Sequence, residues 1–186
     1  MAQPQSPFFE EAANAIRGCI TLVMGRRDAS TYFDFSQRGL VGSLIAVLAG
    51  MMLAGFGPLL LGFAVPPGAA TQSIIVNAVL FVAQALMAMI VLRQMGRQDG
   101  FIPYLVASNW VTLVSAVLLL LSTMFGEAGL VVLLAVAIVA ILTFVNIGRF
   151  IVTLSGLQIG LLFISQAVGV FLALGLVAMF LPAPAI

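Results

Sequence analysis

Five long stretches of this sequence carry no charged residue: Leu40 to Val65, Ser73 to Leu92, Phe101 to Phe125, Leu130 to Ile147 and Gly156 to Leu181. An α-helix needs about 20 apolar residues to cross a hydrocarbon core of roughly 30 Å. Lipid offers the backbone no hydrogen-bonding partner, so a segment that crosses it must satisfy its own polar groups. The five stretches therefore read as transmembrane helices. Turn and breaker residues mark their ends. Pro66-Pro67-Gly68 closes the first, and Arg93 and Arg97 close the second. Pro103 falls in the first turn of the third, where a missing N–H costs little. Gly126-Glu127-Ala128-Gly129 is a turn, Gly148-Arg149 stops the fourth, and Pro182 and Pro184 follow the fifth. Phe150 to Ser155 fits either an interfacial segment or an extra turn of the fifth helix.

Composition agrees. Of 186 residues, 63% are hydrophobic and 7% charged, whereas a soluble domain carries about 25% charged residues. The polar residues are too few to cover a water-facing globule. The seven basic residues are all arginines: Arg17, Arg26, Arg27, Arg38, Arg93, Arg97 and Arg149. In a five-span arrangement all seven fall on one side, and Glu127 alone marks the loops opposite. Arginine-rich loops stay cytoplasmic, so the N-terminus is expected inside and the C-terminus outside, in a bacterial inner membrane. The 1–38 segment holds no early apolar core of the length a secretory signal needs, and the first long run lacks a cleavage site. A net charge of +1 leaves no basic footprint for nucleic acid.

The expected fold class is all-α. Residues 1–38 form a cytoplasmic or interfacial head, and residues 39–186 a bundle of five transmembrane helices. Within the head, Ser6-Pro7 suits a helix start. Phe9, Ala12, Ile16, Cys19, Ile20 and Val23 recur at three- and four-residue spacing, with Glu10, Asn14, Arg17 and Thr21 on the other side and Gly25 as C-cap. This pattern is an amphipathic helix, lying in the membrane interface or against the ends of the spans. Arg26, Arg27, Tyr32, Phe33 and Phe35 then suit the headgroup zone as interfacial anchors. The same surface also fits a docking site for a cytosolic partner or a neighbouring subunit.

No ionisable residue lies deep in a span, where each would cost a few kcal/mol and mark function. Histidine and lysine are absent, and Cys19 is the single cysteine. A carboxylate or histidine relay, a multi-cysteine metal site and a serine nucleophile with its base all lack their residues. We expect no catalytic residues, no metal and no cofactor. Amides and hydroxyls remain. Asn77 and Gln84 share a face of the second span, Asn109 stands in the third, Asn146 ends the fourth, and Gln158 and Ser165 share a face of the fifth beside Gln166. Ser108, Thr112, Ser115 and Ser122 form a hydroxyl stripe. Cross-helix bonds of this kind average about 0.6 kcal/mol. They serve either as structural glue or as a polar pocket lined by Asn77, Gln84, Asn109 and Gln158.

The first span carries a stripe of small residues at four-residue spacing, Gly42, Ala46, Gly50 and Ala54, and Gly156 and Gly160 repeat the spacing in the fifth. Such stripes let helices approach closely, within the bundle or between subunits. Gly55-Phe56-Gly57-Pro58 predicts a kink, because Pro58 removes a donor and crowds the Ala54 carbonyl.

Five spans, a cytoplasmic N-terminal lead-in and a far-side C-terminus resemble the Yip1-like superfamily of small multi-pass proteins. Gly100-Phe101-Ile102-Pro103-Tyr104-Leu105 is similar to the proline-containing start of that family's third helix. Gly148-Arg149-Phe150 followed by Gly156-Leu157 is similar to its link into the last helix. Gly25-Arg26-Arg27-Asp28-Ala29 and Phe33-Asp34-Phe35-Ser36 also resemble segments of uncharacterised bacterial membrane proteins. The resemblance implies membrane organisation without catalysis and supplies no site residues. Two functions follow. One is a non-enzymatic organising, scaffolding or accessory protein whose partners are the lipid bilayer and other membrane subunits or copies of itself. The other is a small oligomeric permease for a neutral or lipid-like solute.

Overall fold

The computed structural model describes residues 8–180, apart from the Glu127 side chain. Within them the chain is helical, with no strand. α1 (Phe8–Val23) leads into a short 3-10 segment, Arg27–Tyr32. Five long helices follow: α2 (Gln37–Leu60), α3 (Ala69–Gln94), α4 (Phe101–Ser122), α5 (Gly129–Asn146) and α6 (Gly156–Phe180). All five are long and apolar enough to cross a membrane, as an integral membrane protein requires.

Glycines in the left-handed conformation end three of the helices. Gly25 (φ 68°), Gly62 (φ 81°) and Gly96 (φ 70°) close α1, α2 and α3. At each, two backbone N–H groups turn back onto the last helical carbonyls, as with Gly62 N to Leu59 O and Phe63 N to Pro58 O, both 3.0 Å. This double closure favours glycine, which has no Cβ to clash. It stops α2 at Leu60, short of the expected Val65. Pro58 stands in that final turn, where it takes away the N–H that the Ala54 carbonyl would accept. The helix start expected at Ser6-Pro7 and the stops at Pro182 and Pro184 lie outside the described residues.

The ambiguous stretch does not add a turn to the start of α6. A π-helical turn, Ile147–Ile151, prolongs α5, and a short loop hands over to α6. Thr153 in that loop takes φ 57°, a conformation that a β-branched residue rarely adopts. Arg97 holds it. Its guanidinium donates to the carbonyl of Thr153 (2.8 Å), the carbonyl of Val152 and the hydroxyl of Thr153 (2.5 Å). α6 then opens on a reciprocal cap: Ser155 N donates to Gln158 Oε1 at 2.9 Å, and Gln158 N to Ser155 Oγ at 3.4 Å. Each side chain satisfies a backbone donor that the first helical turn leaves orphaned.

α2 packs along α4 and α3 along α6, while α2 also meets α3 and α4 meets α5. The densest core lies at one end of the bundle. There Ala15, Cys19 and Leu22 of α1 join Ala29, Phe33, Leu92, Tyr104, Trp110, Ile147, Val152 and Leu162 in one buried cluster. The N-terminal segment and the long helices therefore share a single core. Burial pushes the Cys19 thiol up to about 12, so it stays protonated and serves as a small packing residue. The Phe33 ring edge abuts Gly18, where an added Cβ would stand 2.7 Å from it. Gly18→Ala should therefore lower stability by about 1–3 kcal/mol, the usual range for overpacking. Gly160→Ala, which meets open space, should leave it unchanged or slightly raised. Thermal unfolding followed by circular dichroism separates the two.

Candidate functional site

The small-residue stripe of α2 is spent inside the molecule. Gly42, Ala46 and Gly50 are buried, with Gly50 against the Leu113 backbone of α4. Ala54 is exposed and faces a cavity. The tighter contacts of that half come from Gly55 and Gly57. A Cβ at Gly55 would stand 2.9 Å from the Ala70 carbonyl of α3, and one at Gly57 would stand 2.7 Å from Leu120 of α4. Gly156 and Gly160 have nothing within 4 Å. The glycine that lets α6 approach α3 is Gly169, which the spacing pattern did not select; its Cβ would meet Met87 at 2.6 Å.

The expected quartet of pocket residues is dispersed. Asn109 is buried and donates to Ser43 Oγ at 3.1 Å, tying α4 to α2. Gln158 caps its own helix. Asn77 donates to the Ser73 carbonyl one turn earlier, at 2.8 Å. Only Asn77 and Gln84 line a common cavity. Two further amides act between elements. Gln166 of α6 donates to the Gln84 carbonyl of α3 at 3.0 Å. Asn146 donates to the Leu22 carbonyl at 2.8 Å, pinning the end of α1 to the end of α5.

Two cavities flank the middle of α4. The first, about 510 Å³, lies among α2, α3 and α4, touches α5 at Ala140, and includes Asn77, Gln84, Thr112 and Ser115. The second, about 460 Å³, lies among α3, α4, α5 and α6 and includes Gln84, Tyr104, Ser108, Thr112, Thr143 and Gln166. Both share Gln84, Val111, Thr112 and Ala140, so they abut at the centre of the bundle. No charged side chain lines either one. The hydroxyls mostly spend their protons on their own helices: Ser108 donates to Tyr104 O (2.8 Å), Thr112 to Ser108 O (2.9 Å) and Thr143 to Val139 O (2.8 Å). What these three present to the cavities is lone pairs. The hydroxyl stripe thus points at a real space, while Tyr104 and Gln166 join it from positions that no spacing pattern singled out.

The head divides its anchors. Arg26 is exposed and pairs with Asp28 at 2.8 Å, which holds the Asp28 carboxyl below its ordinary range. Arg27 is exposed, and Tyr32 and Phe35 are half-buried. Phe33, expected among the headgroups, instead faces the core at 7% exposure, because Gly18 leaves room for its ring. Phe35 stacks on Phe33 with centroids 6.2 Å apart.

Gly42 has a second role. The Glu11 carboxyl of α1 occupies the space a Cβ would take there, and among the described residues its Oε1 is a buried atom with no hydrogen-bond partner. Burial raises the Glu11 pKa above its usual value and Asp34 raises it further, while Arg38 opposes both. No protein-family model, no curated protein and no solved structure matches this chain.

An acid whose pKa is raised by folding binds more protons folded than unfolded. Stability should therefore fall as pH rises from the ordinary glutamate range through the raised Glu11 value. Glu11→Gln should flatten that dependence and raise the melting temperature at neutral pH. A melting profile across pH 4 to 8, roughly the window around a glutamate pKa near 4.3, reads the difference. An unchanged profile in the variant refutes the assignment.

Proposed function

We propose that this chain is a non-catalytic multi-pass membrane protein that organises or accompanies other membrane components, Yip1-like in topology and set in a bacterial inner membrane. The observation that carries this reading is the three-sided surface of α1. One side, with Ala15, Cys19 and Leu22, is buried against the bundle. A second exposes Phe9, Ile16 and Ile20, continued by Met24 beyond the helix end. A third carries Glu10, Asn14 and Arg17. A helix with a protein side, an apolar side and a polar side suits the line where bundle, lipid and water meet. In that reading α1 is an amphipathic interfacial helix on the cytoplasmic side, the side to which the arginine distribution assigns it. The uncharged cavities and the lack of intramembrane ionisable groups support a role without bond chemistry.

A second reading, a small permease for a neutral or lipid-like solute, is favoured by one observation: the two uncharged cavities abut at Gln84 and Thr112.

Extraction in a mild detergent should yield the protein within a larger particle, with partner subunits or further copies of itself. A monodisperse monomer with nothing bound would sink the organising role. A C-terminal reporter active only in the cytoplasm should stay silent, and a strong signal would reverse the orientation.

A further inference from the structure

α5 and α6 are neighbours in sequence yet share no extended packing; α6 lies on α3 instead. The gap between them is bridged near one end by aromatic rings. Phe144 meets Phe163 with centroids 5.6 Å apart and Tyr104 at 6.5 Å. Beyond that bridge the second cavity continues, and its α5 and α6 rims, Ile141 and Phe171, are exposed on the outer surface of the bundle at 55% and 75%. The cleft therefore opens sideways, in the direction a bilayer occupies.

We propose that this cleft binds a neutral amphiphile taken laterally from the membrane. Its hydroxyl or amide head is held by Gln84 and Tyr104, and its apolar chain lies past Ile141 and Phe171. Three features set the ligand class. First, no charged group lines the cleft, so an ionised headgroup would lose its hydration without gaining a counter-charge. Second, Ser108, Thr112 and Thr143 have committed their protons to backbone carbonyls and offer acceptors, which suit a ligand bearing hydroxyl or amide donors. Third, among the described residues no hydrogen bond engages the Gln84 side-chain amide or the Tyr104 hydroxyl, although Tyr104 is only 7% exposed. Both line the cleft. The Tyr104 ring is buried, but its hydroxyl is not among the buried unpartnered atoms; it borders the cleft with its proton free, among the described residues, for an acceptor placed there. The volume, about 460 Å³, falls within the roughly 300–1,000 Å³ of small-molecule sites.

This inference rests on one of the two cavities behind the permease reading, and its test reads binding separately from movement. The full chain is placed in phosphatidylcholine nanodiscs and titrated with a fluorescently labelled monoacylglycerol. Energy transfer from Trp110, the single tryptophan and the residue before Val111 of the lining, reports occupancy. Saturable binding is expected, displaced by unlabelled monoacylglycerol and not by anionic phosphatidate. Gln84→Leu should weaken it about fivefold or more, the ratio that one neutral hydrogen bond gives. Tyr104→Phe, which removes only the hydroxyl, should weaken it several-fold with an unchanged melting temperature. Unsaturable partitioning, equal affinity in both variants, or preference for phosphatidate overturns the site. In proteoliposomes, saturable binding without transfer of the probe between leaflets upholds the site and ends the permease reading. Transfer without saturable binding ends the site and leaves the permease reading standing.

Discussion

Lipid tails are as apolar as leucine, so helices in a membrane gain little by hiding apolar surface from their surroundings. Association rests on close backbone approach and on a few polar contacts. Three interfaces of this bundle, α2–α3, α2–α4 and α3–α6, have such a device. α2 reaches α3 through Gly55 and α4 through Gly57, and α3 reaches α6 through Gly169. Asn109 with Ser43 joins α2 to α4, and Gln166 with the Gln84 carbonyl joins α6 to α3. Between α5 and α6 the one close glycine is Gly148 of the π turn, against Ile159 at one end; among the described residues no polar bond joins the two helices further along, and there the bundle stands open. The cleft is the consequence of where these contacts were not placed.

The same constraint explains why the core is lopsided. At the end where α1, the 3-10 segment and the α5–α6 link converge, Leu22, Leu92, Val106, Val152 and Leu162 are fully buried. The chain there has loops and a polar-sided helix to wrap around the bundle. It also has long-range bonds to hold them, from Asn146 to α1 and from Arg97 to the strained Thr153 loop. Along their length α3 and α5 have few fully buried residues. A closely packed end joined to loosely packed helices leaves room for cavities midway, where Gln84 and Thr112 stand. The cavities can hold hydroxyls because Ser108, Thr112 and Thr143 satisfy their protons on their own helices while still presenting a lone pair outward.

Much of the local architecture was legible in the residues. The five long helices follow from uncharged length. Gly25 as a C-cap follows from the end of an amphipathic pattern, and the turn at Gly126 (φ 54°) follows from its glycine-rich sequence. Asn109 as glue between helices follows from the cost of an unpartnered amide. The differences share one origin. A helix apolar on every side carries no stripe to say which face is inward. Spacing alone therefore singled out Gly156 and Gly160, which have no neighbour within 4 Å in this chain, and passed over Gly169, which packs on α3. It grouped Gln158 with Gln84 because both are amides in spans, although Gln158 sits in a first turn with free N–H groups to cap. It placed Phe33 among headgroups because aromatic residues beside charges suit that zone. Gly18, fifteen residues earlier, holds the space that draws it inward.

The sequence by itself determined that the chain is helical, how many long apolar helices it has and roughly where each one ends. Those properties depend on residues close together in the chain: run length, left-handed glycines, and the arginines and prolines at the breaks. Only the tertiary structure decided which faces meet, that α1 belongs to the same core as the long helices, that Arg97 clamps the turn before α6, and that Gln84, Tyr104 and Thr112 border one space. Those properties depend on pairings between distant segments. In an apolar chain, pairings are set by small differences in shape and by single hydrogen bonds, and neither leaves a periodic trace along the sequence.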